Sequence, residues 1–217
     1  MFLILVLAAV TVFANPGPAL AESPPSTPVT ILVLGDSLTA GYGLEESESF
    51  PFQLEKSLQT LGYNVNVINA GVSGDTTAGG LARIEWALAD HPEIVIVELG
   101  GNDALRGLDP AQVYANLDKI LTRLKVSECR VIFAGMLAPR NFGSEYYTKF
   151  DQVYPDLAEQ HDVLFYPFFL AGVATNPELN QPDGVHPNAA GVRRIVTGIT
   201  PLVATALDKL RSSIRVE

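Results

Sequence analysis

The sequence predicts an α/β protein, a three-layer α/β/α sandwich around a parallel sheet of about five strands, and three features of the chain predict it. Short, nearly continuous apolar runs recur along it, longer amphipathic stretches separate them, and polar, glycine-containing turns follow the first three runs. Runs of this kind suit strands buried on both faces, and parallel pairing of such strands needs a crossover between them, usually a helix.

Taken in order, the first run is Val29–Leu34, which leads straight into Gly35-Asp36-Ser37-Leu38. A helix over Ser49–Leu61 follows, then a strand over Val65–Ile68 ending in the turn Ala70 to Asp75. The spacing next predicts a helix over Thr76–Ala89 and a strand over Ile94–Leu99 that runs into Gly100-Gly101-Asn102-Asp103. Pro110 stands just inside the start of a helix over Pro110–Lys125, with Asp109 as its N-cap. The last elements are a strand over Arg130–Met136, a helix over Ser144–Gln160, a strand over Val163–Tyr166 and a helix over Ala189–Arg211. Right-handed crossovers would place the three polar turns together at the carboxyl ends of the strands, where ligands gather in open α/β sheets.

The chain begins with an almost wholly apolar, uncharged stretch, Met1 to Ala14, that leads to Ala19-Leu20-Ala21. This reads as a secretory signal peptide, residues 1–21, cut after Ala21. The run stops short of the roughly 20 residues that a spanning helix needs, so no stable membrane anchor is expected. Residues 22–28, rich in Pro and Ser, read as an extended leader, and residues 29–217 as a single domain with one core. An exported protein, periplasmic or secreted, is the expectation. Acidic residues outnumber basic ones, 24 to 14, for a net charge of −10, and no basic run occurs, which excludes a nucleic-acid partner. Cys129 is the only cysteine, so no internal disulfide forms, and a buried, inert thiol is expected there. A monomer is the plain expectation.

A serine hydroxyl becomes a useful nucleophile when a base takes its proton, and the usual base is an imidazole held in one tautomer by a carboxylate. Of three histidines, His91 and His161 follow helix ends and read as surface residues. His186 stands three residues after Asp183, with Gly184 between them, so one loop can bring a carboxylate to the imidazole. A turn opening the last helix is the plainer reading of that loop. Acyl transfer also needs donors where the carbonyl oxygen becomes negative, each typically worth roughly 3 to 4 kcal/mol of barrier. The Ser37 N–H, Gly74 and the Asn102 amide are the candidates; Gly74 also fits an ordinary loop glycine and Asn102 a residue at positive φ.

Gly35-Asp36-Ser37-Leu38, Gly74, Gly100-Gly101-Asn102-Asp103 and Asp183-Gly184-Val185-His186 resemble, in order and spacing, the four sequence blocks of the SGNH (GDSL-type) hydrolases. The likeness runs from about Val29 to Leu210 and is strongest to the secreted bacterial arylesterase and acyl-thioesterase/lysophospholipase branch, through segments such as Gly79-Gly80-Leu81-Ala82-Arg83 and Leu105-Arg106-Gly107. The resemblance implies a flavodoxin-like SGNH sandwich, with Ser37 as nucleophile, His186 as base and Asp183 as its partner. It further implies an oxyanion hole from Ser37, Gly74 and Asn102, and neither a metal nor an organic cofactor. A small-molecule acyl ester or thioester is the expected partner, with Leu105, Arg106, Leu137 and Phe142 as candidate substrate contacts. Two other readings stay open, a carbohydrate O-acetyl esterase and a non-catalytic exported binding module.

Overall fold

The structure, a computed structural model, describes residues 27–214, so the signal peptide and most of the leader lie outside the described residues. Five strands form one parallel sheet: β1 (Val29–Gly35), β2 (Val65–Gly71), β3 (Ile94–Glu98), β4 (Arg130–Ala134) and β5 (Leu164–Tyr166), in the order β2-β1-β3-β4-β5. The first crossover goes to one side of β1 and the next returns to the other, so the strand order reverses between β1 and β3. That reversal is the topological switch point at which open α/β sheets bind ligands. Register sets Gly35 opposite Glu98 on one side of β1 and opposite Gly71 on the other, so three strand ends stop level.

Every residue of β3 is buried, as are the last five of β1, which is why these runs are continuously apolar rather than alternating. The exception is Glu98, a wholly buried carboxyl at the end of β3. Helices cover both faces of the sheet. In one pair α2 (Phe50–Thr60) packs on α8 (Ala189–Ile214), and in another α6 (Pro110–Val126) packs on α7 (Ser144–His161). In α6 the Asp109 side chain accepts from Ala111 N at 3.0 Å, Pro110 begins the helix, and Val113, Leu117, Ile120, Leu121 and Leu124 form the buried stripe.

Two differences from the expected elements matter. The single helix expected over Thr76–Ala89 is two short ones, α3 (Thr77–Ala82) and α4 (Ile84–Ala87), broken at Arg83. Gly79 and Gly80 weaken the helix locally, and the Arg83 guanidinium is committed elsewhere. Short helices α1 (Ser37–Ala40) and α5 (Gly101–Leu105) also form directly after β1 and β3, in segments read as turns. Among side chains, His161 departs as well: it ends α7 as expected, yet its side chain is only 9% exposed and Nε2 lies 2.7 Å from Asp118 Oδ1. His91 is exposed, and Cys129 is half-buried with Sγ on the Pro92 carbonyl at 3.3 Å.

Gly100 joins β3 to α5 at φ 112°, and a Cβ there would stand 2.0 Å from the hydroxyl of buried Tyr154. That hydroxyl donates to the Leu99 carbonyl at 2.9 Å and has no room to retreat. Gly100→Ala is therefore expected to destabilise the protein by about 2–3 kcal/mol, measured as a lowered urea midpoint.

Candidate active site

Three polar segments leave the level strand ends together, and the loop of Asp183 and His186 meets them. Gly35 closes β1 because a Cβ there would lie 2.2 Å from Thr39 Oγ1 and 2.9 Å from the Glu98 carbonyl oxygen. Asp36 is the N-cap of α1, its Oδ1 accepting from Leu38 N at 2.9 Å, so Ser37 becomes the first helical residue, with its hydroxyl at the rim.

The Ser37 hydroxyl lies 2.9 Å from His186 Nε2, and His186 Nδ1 lies 2.7 Å from Asp183 Oδ2. Asp183 Oδ1 accepts from the backbone N–H groups of His186 (3.0 Å) and Val185 (2.9 Å), the turn being made at Gly184 with φ 69°. Those bonds, with that from the imidazole, hold the Asp183 carboxyl down at about 2, so it is ionised throughout the neutral range. An ionised carboxylate only accepts; Nδ1 therefore carries the proton, and the Nε2 lone pair faces Ser37. The Tyr42 ring rests against the imidazole at 4.5 Å between centroids. Gln181 Nε2 donates to the carbonyls of Tyr42 (2.7 Å) and Pro187 (3.0 Å), tying the loop after α1 to the loop of His186.

Asn102 sits in α5, and its amide nitrogen donates to Asp36 Oδ2 at 3.0 Å and to the Asp75 carbonyl at 2.9 Å. Positive φ falls not on Asn102 but on Gly100 before it and on Gly74, at φ 85°. Asp103 accepts from Thr77 N (2.9 Å) and Thr77 Oγ1 (2.7 Å), docking α3 onto α5. Ser37, Asn102 and His186 share the wall of a cavity of about 520 Å³, whose apolar side includes Leu38, Leu105, Met136, Leu137 and Phe168. Gly74 does not line it; this residue joins the assembly through Asp75 and through its own carbonyl, which accepts from Arg106 Nη2 at 3.0 Å.

Of the candidate substrate contacts, Leu105 and Leu137 therefore face the cavity, whereas Arg106 and Phe142 do not. Phe142 is drawn away by packing on Tyr146, with ring centroids 5.3 Å apart. Arg140 lines the cavity but pairs with Asp151 at 2.6 Å and stacks on Tyr147, so its charge is already committed. Of the stretch Pro167 to Leu170, Phe169 is core while Phe168 and Leu170 reach the cavity. A second concavity of about 540 Å³ lies at the opposite ends of the strands, among Glu93, Lys125, Arg130 and Lys209, and holds none of these groups.

Sequence reasoning reads Asp36 and Asp103 as braces of the site loops, and the structure places them so; it missed Glu98 beneath them. Glu98 Oε2 accepts from Asp36 N at 3.4 Å, its Oε1 has no hydrogen-bond partner, and no cationic side chain pairs with either carboxyl among the described residues. Burial pushes Asp36 up to about 6, and burial beside Asp36 raises Glu98 well above the usual carboxylate range. One signal was available, a lone carboxylate within the apolar run Ile94–Leu99.

A family model described as the GDSL-like lipase/acylhydrolase family matches residues 33–194. The arylesterase of Vibrio mimicus is 44% identical over 158 residues, covering 72% of this chain and 79% of its own. Thioesterase 1/protease 1/lysophospholipase L1 of Escherichia coli strain K12 is 42% identical over 160 residues, 73% of this chain and 76% of its own. The solved structure of AlinE4, an SGNH-hydrolase family esterase, is similar with a TM-score of 0.71 at 50% identity, over 83% of this chain and 97% of that one.

The raised carboxyls predict a pH dependence of stability. Both bind a proton more tightly in the folded chain than in the unfolded one, so the folded state is favoured in the acid range and loses stability as pH climbs through the raised values. Glu98→Gln cannot ionise and should flatten that loss. Between pH 5 and 8, urea unfolding should show the wild type losing more stability than the variant.

Proposed function

The chain belongs to the GDSL-like lipase/acylhydrolase family and is an SGNH-type esterase, and on that premise we propose that it cleaves carboxylic esters or thioesters of acyl chains through an acyl-enzyme on Ser37. The reading rests above all on one observation, the line from Ser37 Oγ to His186 Nε2 (2.9 Å) and from Nδ1 to the Asp183 carboxylate (2.7 Å). His186 takes the hydroxyl proton as Ser37 Oγ bonds to the carbonyl carbon, and the carbonyl π pair moves onto oxygen. As the tetrahedral adduct collapses, His186 passes that proton to the departing alkoxide or thiolate. Water then attacks the acyl-enzyme with His186 again as base, releasing the acid and restoring Ser37.

The developing oxyanion would be met by the Ser37 N–H and the Asn102 amide, which line the cavity, and by the Gly74 N–H, which lies outside that wall next to Asp75 and reaches the oxyanion once substrate is bound. Asn102 begins with its hydrogens on Asp36 and Asp75, so it serves the oxyanion by turning one of them from the Asp75 carbonyl. The Asp36 carboxylate, keeping the other, holds the amide at the rim. This stabilisation is realised in the transition state rather than in the bound substrate.

The apolar wall of Leu38, Leu105, Met136, Leu137 and Phe168 favours an acyl chain over a sugar, and a volume of about 520 Å³ exceeds the needs of an acetyl group. The names of the relatives, arylesterase and thioesterase 1/protease 1/lysophospholipase L1, fit the same class of bond. We propose as well that residues 1–21 direct export and are removed. Among the described residues no helix is long and apolar enough to cross a membrane. N-terminal sequencing of protein recovered outside the cytoplasm should begin at Glu22.

Hydrolysis of p-nitrophenyl esters from acetyl to palmitoyl tests the substrate class. Turnover favouring medium or long chains, and absent in Ser37→Ala of unchanged stability, is expected; an acetyl-only profile would instead indicate a sugar deacetylase, and no turnover a binding module. Asn102→Ala should lower kcat by roughly 10²- to 10³-fold with a smaller change in KM.

A further inference from the structure

Arg83 lies outside the line of Ser37, His186 and Asp183 and does not border the cavity, yet its guanidinium reaches the foot of every oxyanion donor. Nε donates to Asp75 Oδ2 at 2.6 Å, Nη1 to the Ala70 carbonyl at 2.6 Å and Nη2 to the Gly35 carbonyl at 2.9 Å. Gly35 is two residues before Ser37, Asp75 directly follows Gly74, and the Asp75 carbonyl holds the Asn102 amide. The side chains of Arg83 and Asp75 are each 16% exposed, so solvent does not compete freely for these bonds.

The local chain is built to allow this reach. The helix breaks at Arg83, where φ is −110° and ψ 11°, giving up the continuous helix that the sequence pattern favours. Gly79 lets the Asp75 carboxylate lie against α3, since a Cβ there would be 2.3 Å from Asp75 Oδ1. Arg83 grips this turn through the Asp75 carboxylate and the Ala70 carbonyl before it, while the backbone from Val72 to Asp75 is bound by Val72 N to the Gly35 carbonyl and Asp75 N to the Val72 carbonyl, both 3.0 Å, and by Arg106 and Asn102.

We propose that Arg83 is a positioning residue for the reaction, holding the Gly74–Asp75 turn in register with the Ser37 turn so that the oxyanion donors converge. The inference rests on the serine mechanism proposed above. A planar fork can engage one carboxylate and two carbonyls at once, whereas a lysine ammonium of the same charge lacks that fixed geometry. A displacement of about 1 Å at such donors is enough to cost roughly 10²-fold in rate.

The test compares Arg83→Lys and Arg83→Ala with wild type and Ser37→Ala, using p-nitrophenyl butyrate turnover, thermal midpoints and added guanidinium. Arg83→Ala is expected to lose about 10²-fold in kcat with KM within about threefold, and guanidinium should restore at least about tenfold. Arg83→Lys should fold with a midpoint near that of wild type and still lose about tenfold or more in kcat, so it decides the matter should the alanine variant not fold. A lysine variant of full kcat, or one whose only change is a lowered midpoint, would overturn the inference. Turnover retained by Ser37→Ala would instead overturn the serine mechanism itself, separating the two failures.

Discussion

Parallel pairing of β1 with β3 sets Gly35 opposite Glu98, so the two strands stop at the same height and their chains leave side by side at the reversal of strand order. From that single register Asp36 can cap α1, accept from Leu38 and hold the amide of Asn102 in the neighbouring α5. A slip by one residue would turn every side chain of a doubly buried strand to the other face. The packed helix layers resist such a slip, and the site thus inherits its precision from the core rather than from contacts among its own exposed loops.

The same arrangement carries an electrostatic burden. Asp36 and Glu98 are buried as neighbours at the floor of the site, where two negative charges would repel and neither would be well solvated. Burial beside Asp36 raises Glu98 well above the usual carboxylate range, which lessens that repulsion, while Asp36 accepts from Leu38 and Asn102. Higher up, Asp183 lies in the opposite regime: partly exposed and served by three N–H groups, it keeps its charge. Carboxyls of one chemistry thus shift in opposite directions because the fold hydrates and hydrogen-bonds them differently.

Much of this was legible beforehand, because continuous apolar runs report doubly buried strands and glycine-rich turns report where backbone must bend or approach closely. All five strands and the five long helical segments were anticipated, although the second of those segments is split at Arg83. The grouping of Ser37, Asn102, Asp183 and His186 followed from strand-end placement and motif order. The supporting contacts were hidden for a physical reason: they join a side chain to a backbone carbonyl far along the chain, as Arg83 does with Gly35, and a carbonyl has no residue-specific signature. Phe142 misled in the other direction, since an aromatic on a loop near the rim can face either a substrate or a neighbouring ring, and Tyr146 claimed it.

Asp183 and His186 are brought together within one short turn, whereas the hydrogen bond from the Ser37 hydroxyl to His186 Nε2 spans 149 residues of chain. The base and its carboxylate are consequently a local module that costs little closure entropy to form, while the nucleophile is separated from them by four strands, β2 to β5. A partly folded chain would hold a ready imidazole with nothing to activate. On the mechanism proposed, hydrolytic competence therefore depends on long-range closure of the chain, and activity reports the joining of its two ends rather than the local turn alone.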